Sequence, residues 1–128
     1  MPNPECIFCD KDNPEINTVI AENQLAYARW DNFPVNPGHA EVVPLRHVES
    51  YFDLTDAEVL AINALAKQTK SIIDEMHSPD AYNIGANDGE AAGRTIHHAH
   101  LHLIPRYEGD VENPRGGIRH VIPEKGDY

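Results

Sequence analysis

Apolar and polar positions alternate strictly along His98-Ala99-His100-Leu101-His102-Leu103. Period two is the signature of a strand, whose successive side chains point to opposite faces. The pattern predicts Ala99, Leu101 and Leu103 against a core. The three imidazoles would line a polar surface, their Cα atoms about 6.6–7 Å apart. Shorter apolar runs predict further strands over 18–21, 24–30, 39–44 and 81–86, and the two polar residues Glu22 and Asn23 suit a hairpin between the first pair. Asp31 to Gly38 reads as a loop from its Pro, Gly and Asn content. Thr55 followed by Glu58 fits a capping box opening a helix from Asp56 to about Met76. Val59, Ile62, Leu65, Ala66, Ile72, Ile73 and Met76 supply its apolar stripe, and Ser78-Pro79 ends it. A glycine-bearing loop, Asn87 to Arg94, then delivers the chain into the histidine segment. The elements describe an α+β fold, an antiparallel sheet of about five strands with one long helix. They predict one domain over 1–128, with an irregular N-terminal segment (1–16) and a tail (107–128) rich in Gly, Pro and charge.

Composition narrows the function classes. With 41% hydrophobic and 24% charged residues, the chain matches ordinary globular proteins. No apolar run approaches the roughly 20 residues of a membrane span. The start, Met1-Pro2-Asn3-Pro4-Glu5, lacks the basic and apolar regions of a signal peptide, so a cytoplasmic location is expected. A formal net charge of −11 argues against a nucleic acid as the main ligand. It leaves room for a small phosphorylated ligand held by backbone amides, Arg94 and the histidines, with a divalent cation accompanying the phosphates.

Cys6 and Cys9 are the only cysteines, two residues apart. In a reducing compartment the pair is a metal half-site, a redox pair or two incidental thiols. The histidines carry more information, because four of the eight fall at 97, 98, 100 and 102. Three readings compete. A row of three on one face would spread over about 13–14 Å, too wide for a single ion with bonds near 2.0–2.1 Å. A solvated face without chemistry would gather imidazoles at a cost in mutual repulsion. A nucleophilic His100, kept neutral by its crowded neighbours, would attack phosphorus and form a phosphorus–histidine intermediate.

The segment His98-Ala99-His100-Leu101-His102-Leu103-Ile104 resembles the histidine triad motif, His-φ-His-φ-His-φ-φ with φ apolar. The likeness extends to Asp88-Gly89-Glu90-Ala91-Ala92-Gly93-Arg94-Thr95 before it, to Pro37-Gly38-His39 upstream and to Ile104-Pro105-Arg106 after it. It runs from Cys6 to about Arg106, and the chain is most similar to the fragile-histidine-triad-type nucleotide hydrolases. The resemblance implies a fold that pairs into a ten-stranded sheet in a homodimer, and a purine nucleotide as substrate. It implies attack of His100 on the α-phosphate of a dinucleoside polyphosphate or nucleoside phosphoramidate, releasing a nucleoside monophosphate. His102 and His39 would join the network around the phosphates, and the chain at His98 would set the tautomer of His100. Asp31 would bind the ribose hydroxyls. Asn87 and Thr95 would contact phosphate or leaving group, and Arg94, where many members carry Gln, would either reach a longer polyphosphate or point outward into solvent. By likeness to zinc-containing relatives, Cys6, Cys9, His47 and His98 would hold a structural zinc ion. Two other function classes remain beside the enzyme: a nucleotide-binding regulatory protein, and a zinc-stabilised interaction domain with an idle histidine row.

Overall fold

The computed structural model describes residues 3–128; Met1 and Pro2, which open the expected N-terminal segment, lie outside the described residues. Five strands form one antiparallel sheet: β1 (Val19–Glu22), β2 (Ala26–Trp30), β3 (Ala40–Pro44), β4 (Ala81–Gly85) and β5 (Leu101–Arg106). Their order is β1-β2-β3-β5-β4, and the helix α1 (Asp56–His77) connects β3 to β4. The expected α+β architecture is present. Among the described residues no helix is long and apolar enough to cross a membrane.

The helix begins where the sequence places it. The Thr55 hydroxyl accepts from the Glu58 amide, and the Glu58 carboxylate accepts from the Thr55 amide. It ends at Ser78, in the left-handed conformation with φ of 50°. Ile62 and Leu65 pack on Ala26, Ala28 and Val42, while Ile73 packs on Ala40 and Leu103. Each large side chain buried there contributes roughly 1.5–3 kcal/mol. Met76, placed on this stripe from the sequence, is instead exposed, because the buried row runs through Ile62, Leu65, Thr69 and Ile73 and Met76 falls off its edge.

Two boundaries differ from the pattern by more than one residue. β2 starts at Ala26 rather than Gln24, because the Asn23 carboxamide accepts from the Leu25 and Ala26 amides and closes a turn there. β5 starts at Leu101, so His98, Ala99 and His100 precede the strand. The Ala99 amide donates to the Val48 carbonyl, beyond the end of β3, at 2.7 Å. The expected polar surface is also absent at His98 and His100, which are 0% and 8% exposed. The N-terminal segment covers that face: Phe8 packs with Tyr27 and Val43, and the Tyr27 hydroxyl donates to the Phe8 carbonyl at 2.6 Å.

Sheet register completes the frame. Arg29 of β2 is paired with Glu41 of β3, and Glu41 with His102 of β5. Directly opposed residues share a face, so a charged row crosses three strands opposite α1. Gly38, with φ of +89°, lets β3 begin close against the helix: a Cβ there would meet Ile73 and His77 at 3.0 Å.

Candidate active site and metal cluster

The histidine segment feeds two clusters. At its beginning, His98 Nδ1 lies 3.4 Å from Cys6 Sγ, 3.5 Å from Cys9 Sγ and 3.2 Å from His47 Nδ1. Cys9 Sγ and His47 Nδ1 are 3.2 Å apart. A tetrahedral shell with zinc bonds of about 2.0–2.3 Å has donor separations of about 3.3–3.8 Å. The set therefore has the shape, as well as the donor types, of a closed zinc site. The far side of His98 agrees: Nε2–H donates to the Pro44 carbonyl at 2.8 Å, which leaves Nδ1 as the lone pair facing the sulfurs. The Asn3 amide donates to Cys9 Sγ at 3.3 Å, and burial pushes the Cys6 thiol up.

Two residues on, the wiring reverses. His100 Nδ1–H donates to the His98 carbonyl at 2.8 Å, leaving Nε2 as the lone pair. Its ring stands edge-on to Phe8, 4.9 Å between centroids, and edge-on to His102 at 5.0 Å. Burial brings His100 down to about 4, so the imidazole is neutral near pH 7. Burial also lowers His39 and His102. The Val35 amide donates to His39 Nδ1 at 3.2 Å. In the neutral ring Nε2 then carries the proton, and it donates to His102 Nδ1 at 2.9 Å. His102 is left with its proton on Nε2. Asp31, His39 and His102 have donor atoms close enough for an ion, but this tautomer of His39 places a proton where the metal bond would form.

Two acids frame these rings. Asp31 Oδ2 lies 3.6 Å from His39 Nε2, and Glu41 Oε2 lies 3.7 Å from His102 Nδ1 and 4.0 Å from His100 Nε2. Burial alone would raise Asp31, yet the Phe33 amide, His39 and a hydrogen bond with Glu41 hold it below the ordinary carboxylate range. Glu41 is pushed up to about 7, first by burial and then by Asp31, although Arg29 pulls the other way. Arg29 is ion-paired with Glu41 Oε1 and is itself held by Asn17 at 2.6 Å and the Ile16 carbonyl at 3.1 Å.

His39, His102 and Asn87 open onto one cavity of about 580 Å³, with Ile84 of β4 and Ile118 and Val121 of the tail as apolar walls. Neither Asp31 nor His100 lines it: Asp31 Oδ2 is 3.6 Å from His39 Nε2, and the His100 ring centroid is 5.0 Å from that of His102. Thr95 is elsewhere, in a hollow of about 390 Å³ shared with Cys6, His47 and His97. Arg94 is turned to the loop after β3, where it donates to the Glu49 carbonyl at 3.0 Å and to His97 Nδ1 at 3.1 Å. The exposed His97 is thus its partner, while His120, in the tail, faces the Arg115 carbonyl. Sequence reasoning passed over Glu41 and Arg29. Their signal was a charge interrupting each of two apolar strands, opposite in sign.

A sequence profile of the HIT domain matches residues 13–109. An uncharacterised HIT-like protein of Methanocaldococcus jannaschii is 40% identical over 108 residues, 84% of this chain and 83% of the relative. AP-4-A phosphorylase of Mycobacterium tuberculosis is 38% identical over 113 residues, 86% of this chain and 57% of that enzyme. The asymmetrical bis(5'-nucleosyl)-tetraphosphatase of Schizosaccharomyces pombe is 39% identical over 97 residues, 76% of this chain and 53% of that enzyme. Among solved structures, a HIT family protein from Bacillus anthracis superposes with a TM-score of 0.77 at 33% identity, covering 84% of this chain and 77% of its own. A zinc-bound histidine triad family protein from Mycobacterium smegmatis gives 0.74 at 32% identity, covering 85% and 80%.

Proposed function

The chain belongs to the HIT domain family, and we propose that it is a nucleotide hydrolase or nucleotidyl transferase working through His100. One observation carries the reading: the His98 carbonyl takes the His100 Nδ1 proton and leaves Nε2 as a free lone pair on a neutral ring. A neutral imidazole so held is the form that attacks phosphorus. Attack forms the Nε2–P bond and breaks the bond from the α-phosphorus to its leaving group. His102, protonated on Nε2 and fed by His39 at Nδ1, is the donor to the departing oxygen or nitrogen. Water then attacks the phosphorus, the Nε2–P bond breaks and a nucleoside monophosphate leaves. Asp31, as a carboxylate, accepts from the ribose hydroxyls, and Asn87 donates to phosphate from the opposite wall.

The names of the tetraphosphatase and the phosphorylase support a dinucleoside polyphosphate as the substrate class. A phosphoramidate offers His100 the same α-phosphate. Cys6, Cys9, His47 and His98 would hold a structural zinc ion, whose part is to fix the backbone at His98. A second copy of the chain, paired along the free edge of β4 beside the exposed Ile84, would complete the ten-stranded sheet; a monomeric mass at micromolar concentration would count against it.

The test is release of nucleoside monophosphate from a diadenosine polyphosphate and an adenosine phosphoramidate. Turnover is expected to fall by about 10³-fold or more in His100→Ala, with the fold retained. Equal rates in both proteins would remove His100 from the chemistry. Nucleotide binding without turnover in either would favour a regulatory protein on the same scaffold.

A further inference from the structure

Among the described residues the His100 ring makes one hydrogen bond, from Nδ1–H to the His98 carbonyl. That bond decides which nitrogen carries the proton. The last side-chain torsion of a histidine is broad, so the tilt of the ring, and with it the aim of Nε2, is left to packing. Two rings flank His100 edge-on: His102, with centroids 5.0 Å apart, and Phe8, at 4.9 Å. His102 lines the cavity with a side chain 21% exposed, whereas Phe8 is 1% exposed. Phe8 is the fixed neighbour.

Phe8 reaches His100 from outside the HIT profile match, which begins at residue 13, and it is held on three sides. The Tyr27 hydroxyl donates to its carbonyl at 2.6 Å. The Arg29 guanidinium lies over its ring, 4.9 Å from the centroid. The Asn17 carboxamide donates to the Ile7 and Asp10 carbonyls at 2.8 and 2.9 Å, bracketing Phe8 and Cys9, and accepts from Arg29 at 2.6 Å. Arg29 is paired in turn with Glu41, whose Oε2 is 4.0 Å from His100 Nε2, so the supports form a circuit that returns to the imidazole. The same short turn carries Cys6 and Cys9, whose sulfurs converge on His98.

We propose that Phe8 is a positioning residue for the reaction: delivered by the turn between Cys6 and Cys9, its ring fixes the tilt of His100 and keeps Nε2 aimed at the α-phosphorus. The proposal rests on the reading of His100 as the nucleophile. Attack needs the lone pair nearly in line with the bond that breaks, and a misplacement of about 1 Å can cost about 10²-fold. Phe8 does not line the cavity of His39, His102 and Asn87, so its loss acts on the attack and not on substrate binding.

The experiment measures kcat and KM for a diadenosine polyphosphate in wild type, Phe8→Leu, Leu65→Ala and His100→Ala, at a temperature where denaturant titration shows each folded. Leu65, buried under α1 on the opposite face of the sheet, is the control for lost core packing. Phe8→Leu is expected to lower kcat by about 10–100-fold with KM within about twofold, while Leu65→Ala keeps both. The Nδ1–H proton resonance of His100, identified by its absence from His100→Ala, is expected to be sharp in wild type and broadened in Phe8→Leu. An unchanged kcat or an unchanged resonance in Phe8→Leu, an equal fall in Leu65→Ala, or a loss confined to KM would overturn the proposal while leaving the nucleophile in place. Equal rates in wild type and His100→Ala would overturn the underlying reading, and the proposal with it. Should Phe8→Leu fail to fold, Phe8→Met, which fills the space with a flexible chain and no rigid edge, takes its place with the same outcomes.

Discussion

His98 and His100 are two residues apart, both deeply buried, and each has one ring nitrogen 2.8 Å from a backbone carbonyl. The nitrogens are opposite ones. His98 uses Nε2–H on Pro44 and turns the Nδ1 lone pair to two thiols and His47. His100 uses Nδ1–H on His98 and keeps the Nε2 lone pair on the side of Glu41, whose Oε2 lies 4.0 Å away. The same residue type at adjacent motif positions is thus set up as a candidate metal donor in one case and a candidate nucleophile in the other. What differs is which carbonyl the backbone brings to the ring. His98 also belongs to both arrangements, its ring in one and its carbonyl in the other.

The largest effect is expected where the two meet. His98→Ala should abolish binding of the zinc proposed for the Cys6, Cys9, His47 and His98 cluster and cost on the order of 3–5 kcal/mol, as for other large buried rings. The His98 carbonyl remains in the variant, so turnover should fall by only about 10–100-fold, through looser anchoring of His100. Metal analysis of protein prepared without added zinc, denaturant titration and a turnover assay check the three parts. Wild type with less than about a tenth of an equivalent of zinc would break the comparison, since His98 would then have no role distinct from packing.

The sequence made the periodic parts legible. Thr55 and Glu58 mark the helix start, the apolar runs mark the strands, and the spacing of three histidines marks the chemistry. It misled where a tertiary hydrogen bond overrides a local pattern. His98, Ala99 and His100 alternate as a strand should, yet the Ala99 amide pairs with Val48 beyond β3, and Phe8 covers the rings. Alternation reports the direction of side chains, not what lies over them. Glu41 was passed over for a related reason: a lone charge in an apolar strand is a faint signal until Arg29, on the neighbouring strand, stands beside it. The positions of Arg94 and Thr95, on the Glu49 and His47 side, depend on the path of a loop that no short-range pattern specifies.

Acid should separate the histidines from the acids. His39, His98, His100 and His102 are all lowered by burial, so the unfolded chain takes up protons first as pH falls. Their contribution is fully present above about pH 6.5 and is lost as pH falls towards about 4. For His100 alone the loss is about 3 kcal/mol, taken from its shift to about 4. Glu41, raised to about 7, works in the opposite sense: its contribution is present below the ordinary glutamate range and lost as pH rises through 7. Four groups outweigh one, so the melting temperature should fall between pH 7 and pH 5. His100→Ala should flatten that slope. An unchanged slope in the variant would mean that His100 is not held neutral by burial.

The smallest effect is expected at the start of α1, the helix packed on the sheet face opposite the charged row. The Thr55 hydroxyl satisfies the Glu58 amide, and Glu58 in turn caps the Thr55 amide and pairs with Arg46 at 2.7 Å. That ion pair, chiefly, holds Glu58 down to about 2. Thr55→Ala removes one cap hydrogen bond and leaves the pair with Arg46 in place, so it should cost about 1 kcal/mol. Because α1 packs on the sheet face opposite the charged row, that loss should lower the melting temperature without altering KM or kcat. Denaturant titration and turnover on the same sample test it. A variant that lost turnover while keeping its stability would show that the helix start communicates with the histidines, and the two faces of the sheet would no longer count as independent.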